Sequence, residues 1–294
     1  MFSIRPLHLG LILMVLCFWG FNFAMVKVGL RDLPPFMLTS LRFFAVALLL
    51  APFVKPPRGR WRDMLVISML LGVAHFALMF NGLAGLDAST AAISIQLQVP
   101  FASLLAAIFM KDTLGWRRAL GMLIAFAGVV IIAGEPRLDG QYVYLGMVIS
   151  AACLWAVANL VIKMQRPMDG MTLLAWMSVF AAPCLLALSF VFEDNQWEAL
   201  STIGFDGISA VVYQSLFVVV IGYGVWYHLL RQYSLNVMMP FTLLLPPIGV
   251  LSGVVVLGES LSITFLIGAA VTIVGVAIIL IRRPTTASPE IKGT

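Results

Sequence analysis

The sequence predicts an all-α integral membrane protein: ten transmembrane helices arranged as two inverted five-helix repeats. Three observations predict it, namely the apolar composition, the length of the apolar spans, and an echo between the two halves. The 294 residues are 62% hydrophobic and 11% charged, with a mean hydropathy of +1.04. A water-soluble domain needs far more charge to cover its surface. Crossing a bilayer core of roughly 30 Å takes about 20 mostly apolar residues per helix. On that measure the spans fall at about 8–28, 36–54, 64–84, 88–110, 117–134, 142–163, 170–192, 207–230, 237–257 and 262–281. A membrane β-barrel would instead alternate apolar and polar residues along segments of about ten, and none of the spans does.

Span 1 follows Arg5 as a secretory leader would, but it is long and lacks a small-x-small cleavage site, so it reads as a retained helix. Its stretch LCFWGFNFAMVK (16–27) returns in span 6 as ACLWAVANLVIK (152–163). Cys17, Trp19 and Lys27 fall on Cys153, Trp155 and Lys163 at an offset of 136, and Asn22 and Asn159 miss by one place. Residues 99–132, in spans 4 and 5, parallel residues 246–279, in spans 9 and 10, at an offset of 147. That register sets Pro100 on Pro247, Asp112 on Glu259, Gly121 on Gly268 and Gly128 on Gly275. The organisation expected is a first repeat over 1–140, a second over 141–281, and a tail at 282–294. Because five spans is an odd number, the second copy enters the membrane from the opposite side. Two copies that exchange slightly different shapes would open a midplane site to each side in turn. Duplication merely to build a large bundle is the plainer alternative.

With the N-terminus inside, the cytoplasmic loops and ends collect 14 of the 18 basic residues, which orients both termini to the cytoplasm. The net charge of +5 is then a sidedness signal, and nucleic acid is not an expected partner. The longest connection, about 193–206, carries Glu193, Asp194, Glu198 and Asp206 without a base, so any function lies among the helices. Cys17, Cys153 and Cys184 all lie in apolar spans without CxxC spacing, which argues against disulfides and against a metal.

Polar residues within the spans are the candidate site. Trp155, Asn159 and Lys163 drift only about 40° per step and share a helical face, while Trp19, Asn22 and Lys27 fall within about 80°. These stripes offer an aromatic wall, an amide and a cation, or else ordinary packing, interhelical bonding and lysine stems reaching the headgroups. Lys27, Arg42 and Lys163 could each meet a substrate carboxylate or serve as structural charges, and for Arg42 pairing with Asp32 or another outer-loop acid is the favoured expectation. In span 4, Pro100 lacks an N–H and frees the carbonyl of Gln96; Pro246 and Pro247 do the same for Thr242 and Leu243 in span 9. Freed carbonyls at matching depth would suit an α-amino group, unless the prolines serve only to kink for packing. Tyr223, Trp226 and Tyr227 can line one wall of span 8, and Gly222 and Gly224 allow close approach. His75, in span 3 with Asn81, reads first as a satisfied core histidine. Spans 5 and 10 carry small-residue spacing and read as packing elements at the edge, a candidate dimer contact; the chain is expected to be a monomer or homodimer.

No Asp or Glu lies deep in a span, so proton coupling would fall to His75 or His228. No GxxxxGK[ST], HExxH or GxSxG motif is present, so no cofactor and no enzyme activity are expected. WGFNFAMVKVGLRDLPPFMLTSLRFF (19–44), IGYGVWYHLL (221–230) and PFTLLLPPIGVLSGVVVLGESL (240–261) resemble the EamA family of the drug/metabolite transporter superfamily. Within it they are most similar to bacterial exporters of O-acetylserine and cysteine-pathway amino acids. The resemblance covers nearly the whole chain and implies two inverted halves, export of small metabolites and no ATPase subunit. Asp112, where the family usually has Glu, and the double Pro246-Pro247 depart from its pattern. The expected function is secondary export of small amino acids or related metabolites across the inner membrane. Another metabolite or a drug in the same fold, or a membrane-embedded sensor or enzyme, are the alternatives.

Overall fold

A computed structural model describes residues 5–110, 115–233 and 235–280. The expected Asp112 loop and the 282–294 tail lie outside them. Among the described residues ten helices are long and apolar enough to cross a membrane. They are α1 (Pro6–Gly29), α2 (Pro35–Phe53), α3 (Trp61–Gly85), α4 (Ala88–Phe109), α5 (Trp116–Ala133), α6 (Tyr142–Met164), α7 (Gly170–Phe192), α8 (Phe205–Leu230), α9 (Met239–Leu257) and α10 (Ile263–Leu280). The acidic connection before α8 holds one further short helix, Gln196–Ser201.

Local chemistry explains where these helices begin and end. Both α1 and α2 start on a proline, whose missing N–H costs nothing in a first turn. At α7, Asp169 accepts a hydrogen bond from the Thr172 N–H at 3.1 Å. At the end of α9, Gly258 takes a left-handed φ of 70°, and the Glu259 N–H donates to the Gly253 carbonyl six residues back at 3.2 Å.

Four helices are interrupted within the apolar region. In α3 the turns widen to π geometry over Ser68–His75, and in α8 over Tyr213–Tyr223. In α4 they tighten to 3-10 geometry over Ile95–Leu97, and in α9 over Met239–Leu244. Adding the sequence offset of 147 carries 68–75 to 215–222 and 95–97 to 242–244, inside the breaks of α8 and α9. Packing follows the same register: α5 lies on α10, α2 on α7 and α4 on α9, while α1 meets α8 and α9 as α6 meets α3 and α4. Exchanging helices 1–5 for 6–10 leaves that set of neighbours unchanged.

The α5–α10 pair packs as tightly as its small-residue spacing suggests. A Cβ added at Gly121 would sit 2.8 Å from the Gly275 carbonyl oxygen, and one at Gly128 would sit 2.6 Å from that of Gly268. The small faces are therefore spent on each other within one chain, bringing two backbones into contact.

At one end of the bundle, carboxylates cap helices they do not belong to. The first N–H groups of a helix lack intrahelical partners and sit at the positive end of its dipole. Glu193, just past α7, accepts from Phe36 N at 2.6 Å and Met37 N at 3.1 Å at the start of α2. Glu259, past α9, accepts from Ala88 N at 2.6 Å and Ser89 N at 3.0 Å at the start of α4. Asp32, past α1, accepts from Gly204 N at 3.0 Å and Gly207 N at 2.8 Å at the start of α8. Asp87 occupies the N-cap position of α4 but makes no cap bond there. Burial, then the neighbouring Glu259, holds its carboxyl above the usual range, while Arg137 and Lys27 pull the other way.

Candidate substrate site

The π stretch of α8 packs against α1 and α2, as that of α3 packs against α6 and α7, and several polar side chains near these breaks lack partners. Trp19 on α1 donates from Nε1 to the Val218 carbonyl at 3.2 Å, inside the π stretch of α8. Its ring lies 4.8 Å from that of Tyr223 and 5.2 Å from that of Trp226, and Tyr223 stacks on Tyr227 at 6.0 Å. Gly222 makes this approach feasible, since a Cβ there would sit 2.8 Å from Trp19 Nε1. The aromatic wall expected on α8 thus forms, with Trp19 as part of it. One turn further along α1, Asn22 keeps a buried Oδ1 without a hydrogen-bond partner.

Arg42 departs most from expectation. Asp32 is occupied at the start of α8, and among the described residues no acid forms an ion pair with Arg42. The guanidinium lies instead over aromatic faces, 4.5 Å from the Phe76 ring centre, 5.4 Å from Phe43 and 5.8 Å from Phe80. Arg42 is 4% exposed, and its Nε and Nη1 have no hydrogen-bond partner. Gln214, in the π stretch of α8, is fully buried with neither amide atom bonded. Ser89 and Ser94 on α4 also bury unbonded hydroxyls. Sequence reasoning missed Gln214 and Ser94; the one available signal was an amide standing alone in the apolar run YQSLFVVV.

Other candidates are placed differently. His75 is buried and its Nδ1 lies 2.8 Å from the Ala151 carbonyl of α6, the satisfied arrangement expected of a core histidine. Asn159 donates to the Trp155 carbonyl at 2.8 Å within its own helix, so its amide is partly spent locally, and Lys163 at the end of that face is exposed. Lys27 lies at the capped end, donating to the Ala84 carbonyl at 3.3 Å. There it lines a cleft of about 340 Å³ with Asp87 and Glu259. A second depression of about 520 Å³, between Asp32 and Glu198, is at the same end. His228 is exposed, with its Nε2 2.8 Å from Gln232 Nε2.

The helices do depart from α geometry at the prolines, and the Thr242 and Gln96 carbonyls each accept from a nearby backbone N–H. Both α4 and α9 tighten just before their prolines, and the Thr242 carbonyl freed by Pro246 is reached by the Leu245 N–H in a 3-10 turn. The Gln98 N–H turns back on the Gln96 and Ile95 carbonyls in the same way. Pro100 and Pro246 are buried and Pro247 is exposed, so Pro246, not Pro247, matches Pro100 in facing the interior. Gln96 is buried beside this break at 7% exposure.

The EamA-like transporter family profile matches residues 7–134 and again residues 143–281. The chain belongs to the EamA-like transporter family. A probable amino-acid metabolite efflux pump of Salmonella typhimurium is 32% identical over 91% of this chain and 93% of its own. Its Escherichia coli counterpart, of the same description, is 30% identical over the same shares. A probable terminal-alkyne amino-acid exporter of Streptantibioticus cattleyicolor is 26% identical over 91% of this chain and 90% of its own. A solved structure described only as a crystal structure of a protein superposes with a TM-score of 0.64 at 19% identity, covering 94% of this chain and 96% of that one, which bears on the fold alone. This EamA-like transporter is therefore a multi-pass membrane protein that moves a small molecule, not an enzyme, and the unsatisfied polar groups between its interrupted helices are where such a molecule could bond.

Proposed function

We propose that this transporter exports small amino acids or amino-acid-pathway metabolites across the bacterial inner membrane. It works by alternating access between two inverted five-helix halves, 1–140 and 141–281, with both termini cytoplasmic. The observation that carries this reading is the pairing of helix breaks, π in α3 and α8 and 3-10 in α4 and α9, at one register in both halves. Discontinuous helices at matching places suit a pocket that one half opens and the other closes. The names of the relatives, two amino-acid metabolite efflux pumps and an amino-acid exporter, support the cargo class. In this reading Trp19, Asn22, Gln96, Tyr223 and Trp226 line the pocket, with Trp155 and Asn159 approaching it from α6.

The test is efflux from proteoliposomes loaded with labelled cysteine, O-acetylserine, threonine, alanine or phenylalanine. At least one of these leaves faster than from protein-free vesicles, and Gln96→Ala and Trp19→Ala slow that efflux about tenfold, the loss of one buried contact each. Vesicles that release none of the panel contradict the amino-acid reading.

A further inference from the structure

A bare guanidinium inside a membrane protein is costly unless something nearby carries negative charge. Arg42 is seven residues into α2, roughly 10 Å from its start, and is 4% exposed. Phe43, Phe76 and Phe80 turn ring faces toward it, which stabilises a cation but leaves its N–H groups without acceptors. Its Nε and Nη1 are unbonded. At the end of the bundle where α2 begins, the carboxylates of Asp32, Glu193 and Glu259 are all committed to helix N-termini.

Gln214 stands at the same level on α8. At Gly29 the helices α1, α2 and α8 converge: a Cβ there would lie 3.0 Å from Leu38 of α2 and would overlap Ala210 of α8 at 2.6 Å. Arg42 is one turn beyond Leu38, and Gln214 is one turn beyond Ala210 in the same direction. A fully buried amide with both atoms unbonded and a buried guanidinium with two unbonded N–H groups therefore occupy one layer of the bundle.

We infer that Arg42 is the anchor for a carboxylate on the transported molecule, with Gln214 completing its recognition in the same layer. The planar fork of Nε–H and Nη–H groups matches the two oxygens of a carboxylate, which supplies both the missing acceptors and the missing charge. The cargo class follows: a small molecule with a free carboxylate is carried, and its neutral carboxamide is refused. This rests on the export reading and narrows it, because nothing in the relatives' names says which group of the cargo is held.

The experiment uses the purified full chain and thermal stabilisation by three probe sets: amino acids, their carboxamides, and the same acids lacking the amine. The amino acids and the amine-free acids raise Tm, and the carboxamides do so only at concentrations about tenfold higher or more. Arg42→Gln removes the distinction between acid and carboxamide to within about twofold. Arg42→Met, which deletes an uncompensated buried charge, keeps or raises the ligand-free Tm, whereas a structural arginine would lower it. In proteoliposomes Arg42→Gln slows efflux of the best amino acid at least tenfold. Carboxamides as effective as acids on the native chain, or acid preference retained in Arg42→Gln, would overturn the inference. Stabilisation by amine-free acids alone would uphold the anchor and count against amino acids as cargo, so the two claims fail separately.

Discussion

Glu193 holds two backbone N–H groups of α2 and accepts a third hydrogen bond from Ser189 Oγ at 2.7 Å. Burial nevertheless keeps its carboxyl above the usual range, the three hydrogen bonds opposing that shift. A carboxyl raised in the folded state binds its proton more tightly there than in the unfolded chain. Its contribution to stability is therefore present below the unfolded value of about 4.3 and is lost as pH rises through the folded one. Tm in detergent should fall across that window, and Glu193→Gln should flatten part of the fall. Asp87, raised chiefly by its own burial, has the same sign. A Tm–pH curve with the same slope in Glu193→Gln contradicts the assignment. At this scale the sequence was only partly readable. The aromatic wall of Tyr223, Trp226 and Tyr227 was legible because residues three and four apart share a helical face, and Trp19 stood out because it recurs as Trp155. The surroundings of Arg42 were not, because Phe76 and Phe80 reach it from a different helix and the acids expected to pair with it are taken by helix ends.

The helices themselves were legible to within a few residues, because a fixed rise of about 1.5 Å per residue against a core of roughly 30 Å leaves little freedom in span length. Their interior breaks were less so. The 3-10 turns in α4 and α9 could be anticipated from Pro100 and Pro246, but the π turns in α3 and α8 leave no mark on an apolar run whose every residue suits lipid or core alike. The glycine spacing of α5 and α10 was visible, yet its partner was not, since a small face fits a second chain as well as a neighbouring helix. Gly128→Leu tests the partner found here. The added side chain would meet Thr272 and the Gly268 carbonyl, 2.6 Å from its Cβ. Overpacking of this kind costs about 1–3 kcal/mol, which should appear as a lowered Tm and loss of monodispersity. Gly146→Leu, where a Cβ meets nothing within 4 Å, should leave both unchanged. Equal behaviour of the two variants would speak against α5–α10 packing within one chain.

For the molecule as a whole, the principal packing partners of helices 1–5 and 6–10 map onto one another, the pattern that the proposed inverted repeat requires. The echo in sequence pointed that way, although it joined residues only pairwise and said nothing of which helices touch. Alternating access then requires the capped end, where Asp32, Glu193 and Glu259 bind across to other helices, to part during each cycle. Asp32 and Gly207 offer a direct lock, since a Cβ at Gly207 would lie 3.1 Å from that of Asp32, close to disulfide range. With Cys17, Cys153 and Cys184 replaced by alanine, Asp32→Cys and Gly207→Cys can be joined by an oxidant in proteoliposomes loaded with the exported amino acid. The account predicts that oxidation stops efflux and reduction restores it, and efflux at the unlocked rate from fully cross-linked protein would contradict it.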